Sequence, residues 1–126
     1  MGGVTYDTGA LVAAERGDRA VWALHRRALE RGLRPTVPAG VLGQAWRGGP
    51  QAELSRLLKG CRIEPLDELR ARTAGAACAQ AGTADPVDAS VAVGAATRGD
   101  LVVTSDDGDI QRLADALGTA IEIVHA

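Results

Sequence analysis

The chain has 126 residues and a formal net charge of −2, a size that suits one compact domain with a sizeable core. It has no Phe, two Trp and one Tyr, which argues against nucleic-acid binding by base stacking. The sequence starts without the basic segment and long apolar stretch of a signal peptide, and no apolar run is long enough for a membrane span. We therefore expect a cytoplasmic protein that does not contact a membrane.

The two cysteines, Cys61 and Cys78, are far apart in sequence and have no histidine at metal-ligand spacing. They are predicted to be reduced and to behave as small apolar side chains.

Charge is distributed unevenly along the sequence. Residues 16–62 contain ten basic residues and three acids, whereas the segment from Glu64 onward contains eleven acids and four arginines. This asymmetry suits a polyanion held by one part and a cation held by the other. Solvated helix faces would produce the same counts.

Strands and helices alternate in the predicted pattern. The predicted strands cover residues 3–7, 34–38, 61–66, 100–105 and 119–124. The predicted helices cover residues 8–17, 18–31, 39–49, 50–60, 67–81, 86–98 and the segment from 106 to 117. The strongest start signal is Asp85 as cap with Pro86 in the first helical position.

This alternation indicates an α/β fold, a three-layer α/β/α domain with a mostly parallel central sheet. Residues 3–125 are predicted to form a single domain, because there is no repeat, linker or low-complexity segment.

Acidic residues follow the predicted strands. Asp7 ends the first strand, and Asp106 follows the fourth. Since ligands of open α/β sheets bind beyond the carboxyl ends of the strands, both are predicted to face one edge. Asp88, in the first turn of its helix, is expected to join them.

Three converging carboxylates repel one another unless they keep protons or a cation lies among them. A divalent ion such as Mg²⁺ or Mn²⁺ takes a few carboxylates and keeps positions for water and phosphate. With a basic half in the same chain, the cluster predicts phosphodiester hydrolysis.

Each acid also has an ordinary structural explanation. Asp7 and Asp85 can be helix caps, and Asp88 can act on the helix dipole. Asp107 is expected to contact solvent or cap a helix, while Asp109 is a candidate for a supporting or second-metal residue.

Three segments together resemble a known family: YDTGAL near the start, DPVDASVAVGAA in the third quarter and VVTSDDGD before the last helix. They resemble the PIN-domain ribonucleases, especially the VapC-type toxins of toxin–antitoxin pairs, over essentially the whole chain. The resemblance places the family's acidic ligands on Asp7, Asp88 and Asp106. It also places hydroxyl residues at Thr8 and Thr104.

This resemblance implies a PIN-like domain that cleaves RNA endonucleolytically with Mg²⁺ or Mn²⁺. It further implies a homodimer inhibited by a small antitoxin protein.

One position departs from the family pattern. Where most PIN nucleases have a glutamate followed closely by an arginine, this sequence has Gln44 and Arg47. Glutamine offers a carbonyl oxygen but neither negative charge nor a base. The predicted site would then depend more on Asp109, since Glu15 lies far along its helix.

The sequence thus predicts a metal-dependent endoribonuclease, with a weak or inactive PIN-like domain that binds RNA or a protein as the alternative. Arg47 or the arginines of the second helix are expected to contact phosphate. The predicted catalytic residues are Asp7, Asp88, Asp106 and Gln44, the metal ligands Asp7, Asp88, Asp106 and Asp109, and the substrate-binding residues Thr8, Thr104 and Arg47.

Overall fold

The computed structural model of the protein describes residues 2–126. Five short strands form one sheet: β1 (Val4–Tyr6), β2 (Thr36–Pro38), β3 (Arg62–Glu64), β4 (Leu101–Thr104) and β5 (Ile123–His125). Their order is β3-β2-β1-β4-β5, and all four neighbouring pairs are parallel. The prediction of an α/β fold with a parallel sheet is confirmed.

The helices connect the strands in the alternating order that the sequence predicts. They are α1 (Thr8–Glu15), α2 (Arg19–Glu30), α3 (Ala39–Ala45), α4 (Ala52–Leu58), α5 (Glu68–Ala81), α6 (Pro86–Arg98) and α7 (Asp107–Leu117). Asp18 caps α2 by accepting the Val21 amide, and Asp85 caps α6. Among the helices of residues 2–126, none combines the length and apolarity that a bilayer crossing requires.

Two neighbouring residues of β1 show how helices cover both faces of the sheet. The Tyr6 hydroxyl is 2.8 Å from Nδ1 of His25 in α2. The Thr5 hydroxyl instead accepts a hydrogen bond from Arg98 at the end of α6. Because successive strand side chains point to opposite faces, α2 and α6 lie on opposite sides of β1.

A buried polar network fixes the position of α6 over the sheet. Asp100 accepts hydrogen bonds from the Gly3 amide, the Thr5 hydroxyl and the Arg98 guanidinium. Arg98 also pairs with Glu64 of β3. Since every partner of this buried carboxylate is in place, the network orients α6 rather than destabilising the core.

The final strand differs from its prediction. It was expected over residues 119–124 but covers Ile123–His125. Thr119 still belongs to the end of α7, because its amide bonds to the Ala114 carbonyl. Pairing with β4 begins at Glu122, whose backbone carbonyl accepts the Val102 amide, and it continues to Thr104. His125 is therefore part of the sheet.

The strand order creates a switch point between β1 and β4. The chain runs outward to β2 and β3 on one side and to β4 and β5 on the other. Tyr6 is in register with Val103, so the two strands end at the same level. The loops after them diverge and leave a crevice at the carboxyl edge, where ligands of such sheets bind.

Candidate metal centre

Asp7 lies at the point where β1 turns into α1. Its side chain is 3% exposed, and one oxygen accepts the Thr8 amide at 2.7 Å. The other oxygen accepts the Thr104 hydroxyl at 2.7 Å. Asp7 is therefore both the cap of α1 and a fixed carboxylate at the crevice, so its structural and functional explanations are compatible.

Thr104 connects the ends of the two central strands. Its hydroxyl donates to Asp7 and accepts the Asp106 backbone amide at 2.8 Å. The Thr104 side chain is fully buried, and both bonds stay within the protein. The arrangement makes Thr104 a positioning residue for the two aspartates, and the substrate contact expected from the sequence stays a prediction.

Asp106 stands at the N-cap of α7 but does not cap it. Its side chain makes no capping hydrogen bond, and it is exposed. Aspartate at an N-cap ordinarily accepts an amide of the first turn. The Asp106 carboxylate is thus held at the crevice by its backbone and remains available to a ligand.

Asp88 and Asp85 enter the crevice from the start of α6. Asp85 accepts the amides of Val87 and Asp88 at 2.9 and 3.3 Å, which confirms the predicted cap. Asp88 is one turn further along and 7% exposed. Its backbone amide is satisfied by Asp85, while its carboxylate faces the other acids.

Three carboxylates come together at the start of α6 and α7: Asp88, Asp106 and Asp109. One oxygen from each lies within 4.8 Å of the other two. Asp109 also pairs with Arg112 at 2.9 Å, through one of its two oxygens. The structure therefore brings Asp109 directly to the cluster, as the sequence suggested for a supporting residue.

A cleft of about 420 Å³ joins this cluster to Asp7. Asp7, Asp85, Asp88 and Asp106 all line it, together with Thr8, Gly9, Val12, Arg16, Ser105 and Ala126. Close approach of α1 to the loop after β4 requires Gly9, since a Cβ there would lie 2.1 Å from the Ser105 hydroxyl. The absence of a side chain at position 9 therefore lets α1 pack against Ser105 at the edge of the cleft.

Crowding changes the protonation of two of the acids. Burial, and then the charge of Asp7 and the other nearby aspartates, raises the pKa of Asp88 to about 7. Burial also raises the pKa of Asp7, although its bonds from Thr104 and Thr8 act in the opposite direction. The metal-free cluster consequently keeps a proton near neutral pH that a bound cation would displace.

The donor set fits a hard divalent cation. All four candidate ligands are carboxylates, and the described residues place no histidine or cysteine in the cleft lining. Such oxygen-only sites suit Mg²⁺ or Mn²⁺. A cation would offset the mutual repulsion that raises the pKa of Asp88.

Gln44 lies in the last turn of α3, on an exposed position beside the cleft. Its side-chain oxygen accepts the Thr8 hydroxyl at 2.5 Å. Because Thr8 lines the cleft directly after Asp7, this bond fixes Gln44 near the carboxylates. The amide side chain adds no charge to the cluster.

Several residues that the sequence made candidates are not in the cleft lining. The Arg47 guanidinium donates to the Trp46 carbonyl, and Asp107 bonds to His125. Glu15 is bound to the Leu54 amide, where it caps α4, which explains why it does not replace a site acid.

The second-helix arginines also lie elsewhere. Arg27 and Arg31 line a depression with Gly3 and Leu101, at the amino edge of the sheet. They lie away from the acidic cleft, and the expectation that they contact phosphate stays a prediction. Arg16 is the one basic residue that lines the acidic cleft within the described chain. The sequence could have indicated Arg16 through its position at the end of α1, two helical turns after Asp7.

The fold is shared with two solved structures. No family model and no curated protein matches the sequence. A chain of VapBC2 from Rickettsia felis, bound to a DNA fragment from the promoter, is 14% identical, with a TM-score of 0.71 over 98% of each chain. A chain of DNA-bound VapBC from Salmonella typhimurium is 20% identical, with a TM-score of 0.67 over 99% of this chain and 98% of that one. The protein therefore has the fold of VapC-type PIN domains, as its sequence predicts.

Proposed function

We propose that the protein is a metal-dependent endoribonuclease that hydrolyses RNA phosphodiester bonds. The observation that carries this proposal is the Asp106 carboxylate, which is fixed at the switch-point crevice and makes no capping bond. Beside it lie the buried carboxylates of Asp7 and Asp88. Such a cluster costs free energy without a cation, so a purely structural role explains it poorly.

The proposed ion is Mg²⁺ or Mn²⁺, held by Asp88, Asp106 and Asp109 with Asp7 at the other side of the cleft. When bound, a divalent cation supplies a lowered water pKa and offsets charge that develops at phosphorus. Asp7 retains unused lone pairs on both oxygens, because each carboxylate oxygen accepts more than one bond. Thr104 holds Asp7 and the backbone of Asp106 in a fixed relation to each other.

Polar groups around the acids are proposed to orient the RNA. Arg16 is placed to contact a phosphate that enters the cleft, and Thr8 and Gln44 to orient water or a ribose or phosphate oxygen. Arg47 remains a proposed phosphate contact outside the cleft, next to the end of α3. We propose that residues 3–125 form the single domain that binds and cleaves the RNA.

The proposed biological role is that of the toxin of a toxin–antitoxin pair. The two similar structures contain VapBC, bound to DNA in each case. By that likeness we propose a small antitoxin protein as partner, a homodimer as the active assembly and the cytoplasm as the location.

A second candidate function rests on Gln44. A PIN-like domain without catalysis would keep the fold and bind RNA or a partner protein. The missing charge at this position favours that candidate, whereas the raised pKa of Asp88 and the free Asp106 carboxylate favour the enzyme.

Cleavage of a fluorescently labelled single-stranded RNA separates the two functions. The enzyme should cut it in Mn²⁺ or Mg²⁺ and stop in EDTA, and Asp7→Asn and Asp106→Asn should both abolish cutting. Asp107→Asn is the matched control, because it removes a charge one residue from Asp106 but outside the cleft. Cleavage that persists in EDTA, or in both site variants, would rule out the proposed enzyme.

A further inference from the structure

The pairing of the basic residues differs between the two halves of the chain. All four arginines after residue 64 form ion pairs: Arg70, Arg72, Arg98 and Arg112. Of the ten basic residues between 16 and 62, Arg56 alone has an acidic partner within the described chain, Glu53. Residues 16–62 therefore carry an excess of cations that no acid of the described chain pairs with.

Several of the unpaired arginines lie in or next to α2. Arg16 lines the acidic cleft, and Arg19 begins α2 three residues later. Arg27 and Arg31 follow, four residues apart and so on one side of α2, and both line the depression at the amino edge. We call these four residues the α2 track. The twelve residues of α2 span about 18 Å, so the track leads from the cleft to the opposite edge.

Acidic residues add little negative charge along α2. Glu30 is the one acid inside α2, and Asp18 before it is engaged by the Val21 amide. Glu122 and Asp100 line the far depression, but the Asp100 carboxylate is satisfied by Gly3, Thr5 and Arg98. The track consequently presents net positive charge to solvent.

We propose that the α2 track binds the phosphate backbone of the RNA strand that extends beyond the cleft, which rests on the proposed ribonuclease function. The track begins at the site itself, so a strand whose scissile phosphate lies among the aspartates passes directly onto it. Phosphate contacts of this kind position a strand and need no base stacking, which agrees with the scarcity of aromatic residues.

An acidic protein partner fits the track less well. Stable protein interfaces have an apolar core with aromatic or aliphatic anchors. Within α2 the exposed large apolar side chain is Leu29, which contacts the Gly60 loop rather than the track. A polyanion requires only the cations themselves.

The test measures RNA binding by the full chain in EDTA. Fluorescence anisotropy gives the affinity at several salt concentrations. Arg27→Gln with Arg31→Gln should weaken binding several-fold and lower the slope of log affinity against log salt by about 1.4, at about 0.7 per lost contact on a single strand. Arg72→Gln is the control on α5, since Arg72 is also exposed to solvent but is paired with Glu68. Unchanged affinity and slope in the double variant would overturn the proposal.

Cleavage kinetics separate this proposal from the proposed function. The wild type should have a lower KM for an oligonucleotide that reaches past α2 than for a dinucleotide, and the double variant should lose most of that difference. Metal-dependent cleavage without any length advantage would overturn the track but keep the ribonuclease. Absence of cleavage of either RNA would overturn the ribonuclease. If the double variant binds RNA normally but loses binding to polyglutamate, the track belongs to an acidic protein and the proposal fails.

Discussion

The Thr104 hydroxyl donates a hydrogen bond of 2.7 Å to Asp7, a residue 97 positions earlier in the chain. The same hydroxyl accepts the amide of Asp106. One buried oxygen atom therefore sets the relation between two acids that come from different strands.

Thr104→Val removes that oxygen while keeping the shape of the side chain. It leaves a buried Asp7 oxygen and the Asp106 amide without their partner, so unfolding in urea should show a loss of about 1–3 kcal/mol. Mn²⁺ affinity should fall as well, because Asp7 loses a bond that favours its charged form. Stability and metal affinity equal to those of the wild type would show that the bridge has no such role.

The raised pKa of Asp88 predicts how metal-free stability depends on pH. A carboxylic acid with a folded pKa of about 7 binds more protons in the folded state between about pH 4 and pH 7 than in the unfolded state. Its ionised form therefore costs stability that is absent below about pH 4, grows as the pH rises and is complete above pH 7.

Asp88→Asn removes that cost. In EDTA at pH 8 the variant should be more stable than the wild type by up to about 4 kcal/mol, because the pKa difference is about 3 units and each unit corresponds to about 1.4 kcal/mol. Near pH 4 the advantage should vanish. A difference in unfolding free energy that does not change with pH would contradict the crowded cluster.

Gln44→Glu restores a carboxylate at the position that departs from the family pattern. Its oxygen can still accept the Thr8 hydroxyl, and the added charge should raise Mn²⁺ affinity about 3–10-fold. The control is Thr8→Val combined with Gln44→Glu, which should reduce the gain by releasing the new carboxylate. Equal affinity of wild type and Gln44→Glu would mean that position 44 lies outside the metal's reach.

Asp85 caps α6 and also lines the cleft, and two substitutions separate these roles. Asp85→Ala should lose about 1 kcal/mol of stability through the missing cap, whereas Asp85→Asn should keep the cap and nearly all the stability. Both remove a charge that raises the pKa of Asp88, so the loss of metal-free stability above pH 4 should be smaller in both variants and complete at a lower pH. Equal losses of stability in the two variants would contradict the capping role.

The sequence predicted those parts of the fold whose signals are local. The Asp85 and Pro86 start signal, the apolar β4 strand and the alternation of elements all sufficed to place Asp7, Asp88 and Asp106 at one edge. The last strand was placed too early, because its start depends on where β4 offers pairing partners rather than on its own apolar residues.

Other features depend on packing and could not be predicted from the sequence. The Thr104 bridge joins residues far apart, and nothing in the sequence near Glu15 shows that it caps α4. The arginines of α2 were expected to contact phosphate, but the sequence did not show that Arg27 lies at the amino edge of the sheet. Charge counts reveal an excess of one sign and not the surface on which it lies.

Binding of Mn²⁺ to the wild type, Asp106→Asn and Asp107→Asn tests the central claim most directly. The two substitutions remove equal charge from adjacent residues, and only Asp106 belongs to the carboxylate cluster. Isothermal titration calorimetry should show affinity reduced about tenfold or more by Asp106→Asn, equivalent to about 1.4 kcal/mol, and almost unchanged by Asp107→Asn. Equal affinity in all three proteins would show that the cleft is not a metal site.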